Sequence, residues 1–179
     1  MLVSARSYAS NATTVTGFGL GARGQVGDGP WSPGLWLLGE FHFPFSGRER
    51  GVELATTVWS VRIEPSLELF RETAFTLELG AGGGADVFAL APVASEPGAS
   101  RGPHRNDVSA LLSTFIAGTL RTGTASRVVL AATLDYDLTH RRYLVAQGGQ
   151  SWVILEPWRV RPALALGFLF DIAGERRRP

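Results

Sequence analysis

Cysteine is missing from these 179 residues, which removes disulfide frameworks and thiolate metal sites. Lysine is missing too: all 17 basic residues are Arg, which we attribute to genome composition. Charge is sparse, at 18% of residues against roughly 25% in soluble domains. The net charge of +1 leaves no basic stripe for phosphate neutralisation, so no nucleic-acid partner is expected. No run approaches the ~18 apolar residues of a membrane-spanning helix, so a membrane reading must rest on strands. Met1-Leu2-Val3 has neither a charged n-region nor an apolar h-region, so no secretory signal is read there. Helical periodicity is absent as well, because apolar residues recur at every second position rather than every third and fourth.

What is present is alternation. From Trp158 to Ile172, one row reads Trp158, Val160, Leu164, Leu166, Phe168, Phe170 and Ile172, broken by Pro162. The interleaved row is Arg159, Arg161, Ala163, Ala165, Gly167, Leu169 and Asp171. Successive side chains of a strand point to opposite faces. This strand therefore has one bulky apolar face and one that is small or charged. A soluble outer face has no need of Ala and Gly. A crowded barrel interior does, while the bulky face meets lipid. Leu164, Leu166, Phe168 and Phe170 are accordingly expected to face lipid. On this reading Leu166→Arg places a charge in hydrocarbon, and Gly167→Ser is the milder change.

The same alternation gives strands at Leu2–Ala9, Thr14–Gln25, Leu35–Phe45, Val52–Phe70, Phe75–Val87, Val108–Leu120 and Val128–Leu138. The last strand starts at about Trp152. The phase of the fourth strand slips near Val58-Trp59, which predicts a bulge. Longer loops are read at 92–106 and 140–150, the second with an alternative in which Tyr143-Leu144-Val145 extends the hairpin, and short turns at Arg71–Thr73 and Thr122–Ser126. Short turns on one side and longer loops on the other describe an up-and-down meander. With the longer loops outside, an even strand count makes eight, the first of them short, as if the chain began inside it. The domain expectation is a barrel over 1–174 and a basic tail over 175–179.

The inward row collects Arg23, Glu40, His42, Arg62, Glu64, Glu68, Glu78, Asp86, Arg121, Asp135, Asp137, Arg159 and Arg161. Buried charges must be paired or solvated. This mixture of signs therefore predicts a salt-bridged filling of the lumen rather than a bore selective for one sign.

On these alternating strands, glycine-rich inner rows and a final strand with Trp158, Phe168 and Phe170, the chain resembles the small outer-membrane β-barrel proteins of Gram-negative bacteria, the OmpA-like and OmpW-like group. The resemblance implies an all-β transmembrane barrel in the bacterial outer membrane, with membrane lipid and the barrel assembly machinery as partners. No cofactor, no metal and no enzyme activity is expected. One departure is that such barrels usually finish on an aromatic residue, whereas Asp171 and further residues follow Phe170 here.

Other motifs have bland readings. Gly19-Leu20-Gly21-Ala22-Arg23-Gly24 matches G-x-G-x-x-G, but that motif needs a helix to follow, and Gln25–Pro30 cannot supply one. His42 beside Glu40 is an acid–base candidate, with Ser60 or Ser113 as nucleophile, yet no motif places a serine beside the histidine. Asp135, Asp137 and His140 share no obvious face for a metal. Asn11-Ala12-Thr13 is a sequon without meaning in a bacterial envelope. Trp36, Trp59, Trp152, Trp158, Tyr136 and Tyr143 read as interface or packing aromatics. The functional expectation is a structural or surface-interaction role carried by the loops. The alternatives are a narrow pore, a lipid-modifying barrel enzyme and a soluble lipocalin-like barrel.

Overall fold

Ten strands account for the described residues of the computed structural model, which are 1–9, 14–27, 31–94, 103–147 and 149–170. They are β1 (Leu2–Arg6), β2 (Val15–Gln25), β3 (Pro33–Glu49), β4 (Val52–Arg71), β5 (Phe75–Ala94), β6 (Arg105–Arg121), β7 (Ser126–Asp137), β8 (Tyr143–Gln147), β9 (Gln150–Leu155) and β10 (Val160–Phe170). Eight of them close into an antiparallel barrel in the order β1-β10-β7-β6-β5-β4-β3-β2. The expected all-β, up-and-down barrel of eight strands is the fold observed. β8 and β9 stand apart as a two-stranded hairpin within the connection from β7 to β10.

Strand lengths are unequal. β2, β7 and β10 have 11 or 12 residues, close to the roughly 9–11 of a bilayer-crossing barrel strand. β4 and β5 have 20 each, and β3 and β6 have 17. The surplus extends the β3–β4–β5 section beyond the rim that carries the longer connections, and β9 packs against β3 and β4 there.

Several boundaries move relative to the sequence reading. β5 continues to Ala94 and β6 begins at Arg105, so the connection expected over 92–106 is shorter. Trp152 belongs to β9, and the last barrel strand starts only at Val160. The irregularity expected in β4 lies across from it: the β3–β4 register shifts between His42, opposite Val58, and Phe45, opposite Thr56. An extra residue beside Pro44 makes the bulge. Within β4 the inward row runs unbroken through Leu54, Thr56, Val58, Ser60, Arg62, Glu64, Ser66 and Glu68, all buried. What changes at Val58 is the chemistry of the lumen. Apolar residues face inward near the rim and charged ones deeper, which imitates a change of phase in the sequence. Asp171, Ile172 and the 175–179 tail lie outside the described residues, as do the Asn11-Ala12-Thr13 sequon and the turn at 10–12.

The outer wall is apolar. Leu164, Leu166, Phe168 and Phe170 are 62%, 55%, 53% and 67% exposed, and Val61, Ile63, Leu79, Leu112, Ile116 and Leu130 continue the surface around the barrel. Phe41 lies against Trp59 with ring centroids 4.6 Å apart. Inside, two apolar clusters lie above and below a charged layer. Tyr8, Val15, Leu54, Val58, Phe88, Leu90, Ile154 and Leu155 fill the long-loop end. Trp36, Phe115, Ala117 and Val129 fill the lower part.

Candidate functional site in the barrel lumen

The charged layer is built by three arginines, each reaching strands that are not its neighbours. Arg62 on β4 approaches Glu40 of adjacent β3 at 2.5 Å and Asp135 of β7, across the ring, at 2.9 Å. Arg6 on β1 approaches Glu40 at 3.1 Å and Asp135 at 2.8 Å. Arg161 on β10 approaches Asp86 of β5 at 2.7 Å and also binds Asp137. All three are no more than 2% exposed. A guanidinium presents five donors in a planar fork, so one side chain can tie carboxylates from several strands. Arg161 also donates through Nε to the Trp158 carbonyl at 2.9 Å, and its guanidinium carbon lies 5.5 Å from the Tyr8 and Phe88 ring centroids.

Hydroxyls complete the carboxylates. Ser60 donates to Asp86, Ser109 to Asp137 and Ser113 to Glu64, each at 2.5 Å. A second, smaller cluster lies toward the short-turn rim. Arg23 pairs with Glu78, whose other oxygen accepts from Trp36 Nε1 at 2.9 Å. Glu68 takes Arg71 at 2.5 Å and Gln25 at 2.9 Å.

Glycines make the crossings possible. Gly17 sits opposite His42, Gly19 opposite Glu40 and Gly84 opposite Arg62. A Cβ at Gly17 would stand 2.8 Å from His42 Nδ1, and one at Gly84 would stand 2.9 Å from Arg62 Cγ. Each long polar side chain thus leans over a residue that has none. Gly167 follows the same rule. A Cβ there would meet the Met1 carbonyl at 2.6 Å and Leu2 Cβ at 2.8 Å, so Gly167→Ser is a clash with β1 and not the mild change expected.

Eleven of the thirteen residues assigned to the inward row stand in the lumen, in the two clusters just described or, for His42, buried beside the upper one. Arg159 does not. It is exposed, one residue before β10 begins, and alternation loses its meaning once the chain has left the wall. Arg121 is half-buried at the end of β6, donating to the Gly123 and Thr124 carbonyls at the short-turn rim. Arg6, Tyr8 and Asp107 were missed. The parity of Leu2, Ser4 and Arg6 against Val3 and Ala5 carried the signal for Arg6, but five residues are a short pattern. Asp107 sits inward with Arg105 at 2.8 Å and Arg141 at 2.9 Å.

His42 is fully buried, its ring edge-on to Tyr8 at 5.3 Å. Its ring nitrogens have no partner among the described residues, and Ser60 and Ser113 are committed to Asp86 and Glu64. The geometry brings no serine to this histidine. Asp137 accepts from Ser109 of β6, from Thr139 and from Arg161 of β10, so its oxygens tie two neighbouring strands to the chain that follows β7. The G-x-G-x-x-G segment lies in β2 as strand.

At the long-loop rim the base of the β8–β9 hairpin carries an ion pair. Arg142 approaches Glu156 at 2.8 Å, and His140 Nε2 lies 3.4 Å from the same carboxylate. Burial, and then the Asp107 carboxylate, push the Tyr143 hydroxyl up to about 12. Hydrogen bonds from Ser46 and Arg48 hold the Glu53 carboxyl below its ordinary range.

No family model and no curated protein matches the sequence. Among solved structures, the crystal structure of Neisserial surface protein A matches with a TM-score of 0.60, over 96% of this chain and 94% of that one, at 10% identity. At that identity the likeness speaks for the fold. The chain has the architecture of a small eight-stranded outer-membrane β-barrel.

Proposed function

We propose, from this fold, that the protein is an integral barrel of the bacterial outer membrane, closed to solute flow, with a structural or surface-interaction role. The observation that carries the reading is the pairing of an apolar outer wall with a lumen crossed by Arg6, Arg62 and Arg161. The exposed belt would be costly in water as one contiguous patch, and it suits acyl chains. Arg6, Arg62 and Arg161 cross the bore paired with Glu40, Asp86, Asp135 and Asp137, so solute passage would require breaking buried pairs. The surface role falls to the long-loop end, where the β8–β9 hairpin turns one face outward, with Leu144 and Val153 exposed side by side. Membrane lipid and the barrel assembly machinery are the partners this reading requires.

Planar-bilayer recording of the refolded protein is the test. The reading expects no steady conductance from the native chain. Stable ion conductance from it would replace the closed barrel with a narrow pore, the second reading.

A further inference from the structure

The charged side chains at the long-loop rim fall into two sectors that differ in balance. At the tip joining β3 to β4, Arg48 pairs with Glu53 at 3.0 Å and Arg50 with Glu49 at 3.7 Å, so the signs cancel. The sector where the chain leaves β7 and returns to β10 does not cancel. There Arg105 and Arg141 share one oxygen of the buried Asp107, and Arg142 takes Glu156. Arg159 is exposed, and its side chain has no ion pair or hydrogen bond among the described residues. Four guanidiniums stand against two carboxylates.

The backbone fixes where Arg159 stands. Its carbonyl accepts from the amide of Asp137, the last residue of β7, at 2.7 Å. Val160, which follows it, lies opposite Tyr136. Trp158, Val160, Tyr136 and Leu138 are all exposed, and below them the outer wall continues through Leu134 and Leu164. The unpartnered guanidinium therefore stands at the upper border of the apolar wall. Beside it are an indole and a phenol, the side chains that gather at headgroup depth.

Charge and position together narrow the occupant. Uncancelled arginines call for an anion, and the guanidinium fork matches phosphate oxygens. A free anion would answer the charge and leave Trp158 and Leu138 bare. A lipid answers both, with its phosphate at the rim and its chains on the wall beneath. A zwitterionic headgroup brings its own cation, so the match is to a phosphate that carries net charge.

We propose that this rim sector seats a membrane lipid with a net-anionic phosphate headgroup, the phosphate on Arg159 and the acyl chains along the β7–β10 wall. The proposal rests on the membrane reading above and adds which lipid the barrel selects.

The test is energy transfer from tryptophan to pyrene-labelled phosphatidic acid in neutral detergent micelles that hold the refolded full chain. Phosphatidylcholine with the same pyrene chain is the comparison. The native chain should gather phosphatidic acid saturably, and phosphatidylcholine only in proportion to its mole fraction. Arg159→Gln has no partner in the fold to lose, and it should weaken the phosphatidic acid affinity about fivefold, the usual worth of one basic side chain at an anionic membrane surface. Arg48→Gln, in the balanced sector, should leave that affinity unchanged. Equal affinity for the two lipids would overturn the proposal, and so would equal losses in the two variants, which would reduce the effect to net charge. Excess inorganic phosphate at constant ionic strength should leave the lipid bound; full displacement by it would assign the arginines to free phosphate instead. Compact migration before heating reports the folded barrel separately, so failure of the membrane reading appears there and failure of the lipid seat only in the titration.

Discussion

At the residue scale, the inner wall is decided by glycine and arginine together. Gly82 faces the lumen side of β5, and a Cβ there would collide with the Ile63 carbonyl and stand 2.8 Å from Glu64 Cα. Gly39 is outward, its nearest neighbour the Leu20 carbonyl at 3.9 Å. Gly82→Ala should therefore lower stability by about 1–3 kcal/mol, the usual cost of overpacking. Gly39→Ala should be neutral or stabilise by up to about 1 kcal/mol through the unfolded chain. Denaturant titration in detergent reads both, and equal effects would contradict the face assignment. Arg62→Met keeps the volume of the side chain and removes its charge, leaving Glu40 and Asp135 short of a partner. A loss of about 3–5 kcal/mol is expected by the same titration, and a loss below about 1 kcal/mol would mean the layer is hydrated and its pairs weak.

At the scale of the element, the β8–β9 hairpin closes the long-loop end through Ile154 and Leu155, with Tyr143 and Val145 packed beside them. Its attachment has a pH signature. Below the free tyrosine value of about 10 the Tyr143 hydroxyl is neutral in both docked and undocked forms, and its contribution is fully present. Docking should weaken as pH rises from there toward about 12, because the undocked phenol ionises first. The check is phenolate absorbance with Tyr143→Phe as the control, which should remove the late-titrating component. A component at the free value would show Tyr143 to be open to water.

This element also shows where the sequence stops being legible. Period-two alternation reveals a strand and its two faces, and it located all eight barrel strands and the faces of β10. It does not say when a strand has risen above the apolar belt of the barrel, where both faces become polar or mixed. For that reason alternation leaves 140–150 as loop except for a hairpin extension through Tyr143-Leu144-Val145, joins Trp152 to the final strand and sends Arg159 inward. The same limit explains β4, whose inward row turns apolar at Val58 beneath the hairpin and suggested a bulge that belongs to β3. The charged row could be named from parity alone. Its pairing could not, because Arg62 meets Asp135 and Arg161 meets Asp86 only once the wall has closed on itself.

At the scale of the whole molecule, the central claim is that one side of every barrel strand meets hydrocarbon and the other a packed, ion-paired interior. The absence of cysteine gives direct access to it. Single cysteines at 163, 164, 165, 166 and 168 carry a nitroxide label in the protein reconstituted into lipid vesicles, and collision with oxygen, which concentrates in acyl chains, is measured at each. The expected result is a period of two, with high collision rates at 164, 166 and 168 and low rates at 163 and 165. A flat profile, or maxima at the odd positions, would contradict the account.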